Sequence, residues 1–399
     1  MNRIHNSTIR EAKRPADYNY IKYILIAFCL IPYMGISGIR NLVGPDLYQL
    51  WQVSSTACLL FIGIRKAHTI LVKPHITLYF LYQLVILSVS SIRNGFSYGI
   101  FSVCLAFFLI FLLLQSDLWL LILRTLVIVS IIAAIINLIS IPFHQDEQQP
   151  IYFIGGKNAF AIFLIPAVFF VLIYSAAKNN KVTKAATLLV FLFLLSIALG
   201  GSATGIVISL VTLIFLLIFT NRKTIKAPFL ITIILLYSLF LIFSESFLTS
   251  SLWTSFTDLF GKDSTLTSRS AIWSEAIEMI KERPLLGHGR GSRIIYRNSM
   301  GVYFSATEAH NFILEVLFDG GLVAFVLMLA LLFYIVNRLE LSDQKHRISF
   351  LSLIIVMTNG LTESTVNNIL VVILLGLAGR FASSSSVRSI FYGHSTKKT

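Results

Sequence analysis

The sequence predicts an all-α integral membrane protein of about twelve transmembrane helices with one large extracytoplasmic loop, and three observations carry that expectation. Of 399 residues, 56% are hydrophobic and only 13% charged, about half the ~25% charge that a water-facing domain carries. The mean hydropathy is +0.81. Apolar stretches of helix length recur along the chain, and backbone amides in lipid must be satisfied within the segment, so helices are expected. Secreted, nuclear and cytosolic readings are excluded. The organisation expected is an N-terminal tail over 1–20, helices over 21–244, a large loop over 245–311, helices over 312–380 and a polar, unstructured tail over 381–399, starting in earnest at Ser383.

The apolar spans lie near 21–38, 47–64, 75–92, 97–114, 118–141, 158–176, 185–200, 203–220, 228–244, 312–337, 348–361 and 366–380. The first has no small-residue cleavage site after it and reads as a retained helix. The stretch 185–220 is too long for one crossing, and Gly200-Gly201-Ser202 divides it. An even number of spans puts both termini on one side. Alternating the loops then assigns 21 of the 32 Lys and Arg to the side of the termini, ten to the other side, and Arg124 to a span. Seven of those ten lie in the long loop, which counts little in the positive-inside rule. Both termini are therefore expected in the cytoplasm of a plasma-membrane protein, and the net charge of +14 needs no nucleic-acid partner. Cys29, Cys58 and Cys104 all fall in apolar segments without paired spacing and read as small buried hydrophobes.

Within the long loop, Trp273, Ala276, Ile277 and Ile280 recur at i, i+3, i+4 and i+7, with Glu275, Glu278 and Lys281 on other faces. This spacing predicts an amphipathic helix that opens near Thr267 or Ser268, ends before Pro284 and lies on the membrane surface or over the bundle mouth. Arg269, beside its N-terminus, suits either an anion seat or a solvated surface. After it comes Pro284-Leu285-Leu286-Gly287-His288-Gly289-Arg290-Gly291-Ser292-Arg293. A Rossmann reading fails without a flanking strand and helix of a soluble fold, which leaves a phosphate-cradling turn or a structural one. Glu308-Ala309-His310-Asn311 precedes span ten. His310 suits proton transfer, with Glu308 or Asn311 to orient it, while a helix-capping His-Asn pair is the alternative. Two short loops, Gly155-Gly156-Lys157-Asn158 and Gly200-Gly201-Ser202-Ala203-Thr204-Gly205, read either as ligand-binding or as caps of close-packed helices. Lys157 is one of only three short-loop cations expected on this face. No acid pair has glycosidase spacing and no cluster has metal-ligand spacing. The few charges within spans (Arg124, Glu315, Asp319) support an ion-coupled relay poorly.

Taken in order, Gly-Gly-Lys-Asn at 155–158, Gly-Ser-x-Thr-Gly at 201–205, Arg-x-x-x-Trp at 269–273, Pro-Leu-x-Gly-x-Gly at 284–289 and His310-Asn311-x9-Gly321 resemble the bacterial O-antigen polymerase and O-antigen ligase superfamily. The motifs cover roughly residues 150–335, and the topology covers the whole chain. The resemblance implies a C-type glycosyltransferase-like helical bundle. It also implies transfer of a glycan from an undecaprenyl pyrophosphate carrier to an acceptor hydroxyl, with no metal, cofactor or nucleotide sugar. By that resemblance His310 is the general base and Arg269 holds the pyrophosphate. Lys157, Arg290 and Arg293 assist, and Gly287, Gly289, Ser202, Thr204, Glu308 and Asn311 line the substrate. The implied partners are the lipid-linked donor and acceptor, the bilayer and a chain-length regulator.

Two departures separate the chain from the ligase pattern. Ala203 stands where many members, ligases especially, carry Arg, and Ala324 stands where the ligase motif prefers Gly, Thr or Tyr. Both favour a repeat-unit polymerase over a ligase that acts on lipid A core. A transporter of the same lipid-linked sugars would need deep polar residues or repeated halves, and neither is found. A non-enzymatic assembly factor would leave His310 and Arg269 tolerant of substitution.

Overall fold

The computed structural model describes residues 17–67, 73–144, 151–219, 227–243, 269–297 and 302–392. Each expected apolar span coincides with a helix. The first is α1 (Asp17–Leu30), which runs through a 3-10 turn at Ile31–Tyr33 and a bend of 97° into the short α2 (Ser37–Val43). There follow α3 (Pro45–Lys66), α4 (Pro74–Asn94), α5 (Tyr98–Leu113), α6 (Trp119–Ser140), α7 (Lys157–Asn179), α8 (Lys184–Leu199), α9 (Ala203–Phe219) and α10 (Ala227–Phe243). In the long loop lies α11 (Arg269–Glu282), and the chain closes with α12 (Phe312–Arg338), α13 (Gln344–Asn359) and α14 (Ile369–Tyr392). Five of the described helices (α3, α4, α6, α7 and α12) are long and apolar enough to cross a membrane, six if the bent pair is one span. Other apolar helices are shorter, so length and composition alone do not carry all twelve expected crossings.

The bundle is built around α7, whose residues from Phe163 to Ile173 are all buried. A helix apolar on every side belongs in the middle. Around it, α6, α8, α9 and α10 turn apolar side chains such as Ile132, Phe191, Leu217 and Leu236 outward. A water-facing surface would not carry such a belt, and with the apolar helices it makes this a membrane protein.

Two expectations change. Of the tail expected to be unstructured from Ser383 onward, residues 383–392 continue α14; Pro and Gly, which would break it, are absent from 380–392. The long loop also holds a small antiparallel hairpin, β1 (Ile294–Arg297) and β2 (Tyr303–Ala306), which pairs Ile294 with Ala306 and Arg297 with Tyr303. The loop packs down rather than standing free. Ile272, Trp273 and Ala276 of α11 form one buried cluster with Ile294, Ala309, Leu314 and Phe318, so the expected apolar face is real and covers the mouth of the bundle. The expected helix start at Thr267 or Ser268 lies outside the described residues.

The feature that fixes the site is a break in α12. Gly321 sits at φ +64° and ψ −163° inside the helix. This forfeits the helical bonds that Phe318 and Asp319 carbonyls would accept from Leu322 and Val323 amides. The segment after α11 replaces each lost bond. His288 N donates to Phe318 O at 2.7 Å and Gly289 N to Asp319 O at 3.1 Å, while Leu322 N donates to Pro284 O at 2.8 Å and Val323 N to Leu285 O at 3.2 Å. The exchange demands close backbone approach. A Cβ on Gly321 would lie 2.3 Å from the Leu285 carbonyl, and one on Gly287 2.5 Å from Phe318 O.

Gly321→Ala therefore combines a left-handed backbone with a backbone clash. We expect it to destabilise the protein by about 3 kcal/mol or more, against about 1 kcal/mol or less for Gly156→Ala, where a Cβ meets nothing within 4 Å. Thermal unfolding in detergent checks the difference, and equal melting temperatures would remove the break from the list of structural constraints.

Candidate functional site

Arg269, Arg290, Glu308, His310 and Asn311 gather at the end of the bundle where α12 begins, α4 and α13 end, and α11 covers the opening. Asn311 is the N-cap of α12. Its Oδ1 accepts from Ile313 N at 2.9 Å and Leu314 N at 3.2 Å, and its amide donates to Leu361 O at 3.0 Å. This is the capping role that the sequence left open, and the side chain is fully buried. The preceding turn places His310 at φ +49°, a conformation that His, Asn and Asp adopt more readily than other non-glycine residues. The turn is held by Glu315 Oε2, which accepts from Ala309 N at 2.6 Å.

The organising side chain is one the sequence reading did not single out. Glu363 is buried in the turn between α13 and α14 and uses both carboxylate oxygens. Oε1 accepts from Arg269 Nη2 at 2.5 Å, and Oε2 faces His310 Nδ1 at 3.8 Å. Among the described residues that buried nitrogen has no hydrogen-bond partner. Arg269 is accordingly buried rather than solvated, and Trp273, one turn on in α11, is buried too. Glu308 lies beside His310 and Glu363, and burial pushes its carboxyl above the ordinary range, with His310 opposing.

A second cluster adjoins the first. Asn367 Nδ2 donates to Glu315 Oε1 at 2.9 Å and to Asp319 Oδ2 at 3.1 Å, and its carbonyl oxygen accepts from the Arg290 guanidinium. Ser364 Oγ adds a bond to Glu315 Oε2 at 3.1 Å. Arg290 Nε stands 3.6 Å from Asp319 Oδ2, and its backbone amide donates to Ser90 Oγ on α4 at 2.8 Å. Arg290 is thus tied to carboxylates inside the fold. Gly287 and Gly289 are occupied too: a Cβ at Gly289 would lie 2.7 Å from Ser90 Cα. Of the two readings of this stretch, the structural turn is the one the geometry supports, and the two glycines do not present their amides to a ligand. Arg293 is exposed just before β1.

The two short loops meet each other. Ser202 caps α9, accepting from Gly205 N at 3.1 Å, and its hydroxyl donates to Asn158 Oδ1 at 2.9 Å. Lys157 is exposed at the first position of α7, and Thr204 is half-buried in the first turn of α9. Among the described residues, no ion pair joins these loops to the His310 cluster.

Residues 188–329 match a protein-family model described as O-Antigen ligase. That match supports the O-antigen ligase and polymerase superfamily over this part of the chain. The matched residues run from α8 through the break in α12, and so include Ser202, Arg269, Arg290 and His310 but neither Lys157 nor Glu363. No curated protein and no solved structure matches the chain. Glu363, Ser364 and Asn367 carried one sequence signal: a polar run, Thr362–Asn368, between two apolar segments.

Because the Arg269–Glu363 pair is buried, removing one partner leaves an uncompensated charge. We expect Arg269→Ala to destabilise by about 3–5 kcal/mol and Arg269→Ala with Glu363→Ala to recover part of that loss. A double-mutant cycle by thermal unfolding measures it, and strict additivity would mean that the two side chains do not interact.

Proposed function

We propose that this protein polymerises undecaprenyl pyrophosphate-linked oligosaccharide repeat units into O-antigen, capsular or exopolysaccharide on the outer face of the plasma membrane. The observation that carries the reading is the single buried carboxylate of Glu363 set between Arg269 and His310. A carboxylate that faces Nδ1 leaves Nε2 for the substrate, and a guanidinium beside it offers charge for a leaving group.

In this mechanism His310 Nε2 takes the proton of an acceptor sugar hydroxyl. The oxygen attacks the anomeric carbon of the donor, the new glycosidic bond forms, and the bond from that carbon to the pyrophosphate oxygen breaks. The pyrophosphate leaves on its lipid with the bonding electron pair, and Arg269 offsets its charge. The Arg269 side chain is already paired with Glu363, so it serves as a positioned donor that the leaving group shares or competes for. Among the described residues, Lys157 and Arg293 are exposed cations that a pyrophosphate would meet without breaking an internal pair. With twelve crossings and cytoplasmic termini, the site faces outward, where lipid-linked repeats are joined. A chain-length regulator is the expected protein partner.

The ligase reading uses the same chemistry with lipid A core as acceptor, and the description of the matching family favours it. Ala203 and Ala324 favour the polymerase.

Purified protein in detergent, given the short lipid-linked repeat of its own host, should form a ladder on a gel without metal or nucleotide sugar. Transfer only after lipid A core is added would make it the ligase, and no product with either acceptor would return the reading to transport. His310→Asn tolerates the same backbone, so it should keep the melting temperature while lowering activity by about 10²-fold or more. Per folded protein, Arg269→Lys should retain more activity than Arg269→Ala, because a point charge preserves part of the attraction. Equal, mild effects would take Arg269 out of the reaction.

A further inference from the structure

Beside the acid cluster lies a cavity of about 260 Å3 that no feature of the reaction above uses. One wall is the bend between α1 and α2, another the outer turns of α3 and α5, and the last is Asn367. The bend is built rather than loose. Ser37 N donates to Ile154 O at 3.2 Å and Gly38 N to Phe153 O at 2.8 Å, and Gln52 Nε2 on α3 reaches Pro32 O at 2.9 Å. Tyr33 is locked by its hydroxyl against Gln52 O and Ser102 Oγ.

The lining mixes two chemistries. Tyr33, Tyr48 and Phe107 offer aromatic surface, whereas Arg40 and Gln52 offer donors and acceptors. The Arg40 guanidinium is exposed at the mouth and has no ion-pair partner among the described residues. A lipid tail would leave these polar groups unpaired. A diphosphate calls for several convergent cations, and the cavity has one. A hydroxyl-rich ring with apolar C–H faces fits both halves of the lining. The volume is below the roughly 300–1,000 Å3 of pockets for drug-sized ligands, which suits a single sugar unit.

The cavity is also coupled to the reacting end. Asn367 lines it and donates to Glu315, Glu315 accepts from Ala309 N, and His310 is the next residue. Arg290 backs it as well, bonded to Asn367 and 6.0 Å from the Phe107 ring.

We infer that this cavity is a glycan subsite, which seats one sugar of the repeat unit with Arg40 and Gln52 as its polar contacts and so sets which repeat is accepted. The inference rests on the polymerase or ligase reading for the identity of the glycan, but it concerns binding and is tested without turnover.

The test uses full-length protein in detergent and two probes: the oligosaccharide released by mild acid from the host's lipid-linked repeat, and inorganic pyrophosphate. Binding is followed by saturation-transfer NMR and titration. Arg40→Ala should weaken the oligosaccharide about tenfold and leave pyrophosphate unchanged. Val103→Phe, which fills the cavity from a half-buried wall position, should do the same without removing a charge. Oligosaccharide binding that is absent in the wild type, or untouched in both variants, would overturn the subsite. Loss of pyrophosphate instead of oligosaccharide in Arg40→Ala would reassign the cavity to the carrier and equally overturn it. If the wild-type protein forms no product with either acceptor while Arg40→Ala loses oligosaccharide, the proposed function fails and the glycan subsite stands.

Discussion

Four backbone groups at the break in α12 set the terms for everything around them. Within hydrocarbon an unpaired amide or carbonyl costs several kcal/mol, so a helix can open there only if another segment supplies two donors and two acceptors in register. The stretch Pro284–Gly289 does so, and this is why its glycines face backbone on both sides. Once docked, it delivers Arg290 next to Asp319 and hangs α11 over the opening, with Trp273 buried in the same cluster as Phe318. The long loop is thereby made part of the bundle, and Arg269, the first residue of α11, is carried to the start of α12.

The charges gathered there explain one another. Glu308, Glu315, Asp319 and Glu363 share a small volume with Arg269, Arg290 and His310, and like charges that close would repel without the cations and the amide of Asn367 between them. Asn367 is suited to the position because it donates to two carboxylates while it accepts from a guanidinium. A lysine there could not accept, and an acid could not donate when ionised. The result is a network in which most charge is internally balanced. Among the described residues, the groups left to meet a substrate are the second ring nitrogen of His310, the shared guanidinium of Arg269, and exposed cations such as Lys157, Arg293 and Arg40.

This balance separates two kinds of conserved-looking chemistry that a motif string presents as equal. Arg290 and the glycines beside it hold the architecture, and Asn311 caps a helix, whereas His310 and Arg269 face opposite oxygens of one buried carboxylate, Glu363. Gly287 and Gly289 are the plainest case. Alternating glycines are compatible with a phosphate cradle and with close backbone packing, and only the position of Phe318 and Ser90 decides between them.

By itself the sequence determined the membrane class, the placement of the helices, the amphipathic face of α11 and the identity of His310 and Arg269 as the residues to watch. Each depends on local periodicity or on a short ordered motif, which survive in one dimension. Only the tertiary structure decided that Glu363 joins those two side chains, since it is 53 residues from His310 in the chain and reaches it because Phe312 N bonds Gly360 O at the top of α13. The hairpin, the exchange of hydrogen bonds at Gly321 and the cavity beneath Arg40 were likewise beyond reach, because each is made by segments that meet in space and carry no periodic signal. Local chemistry named the candidate groups, and long-range packing chose their partners.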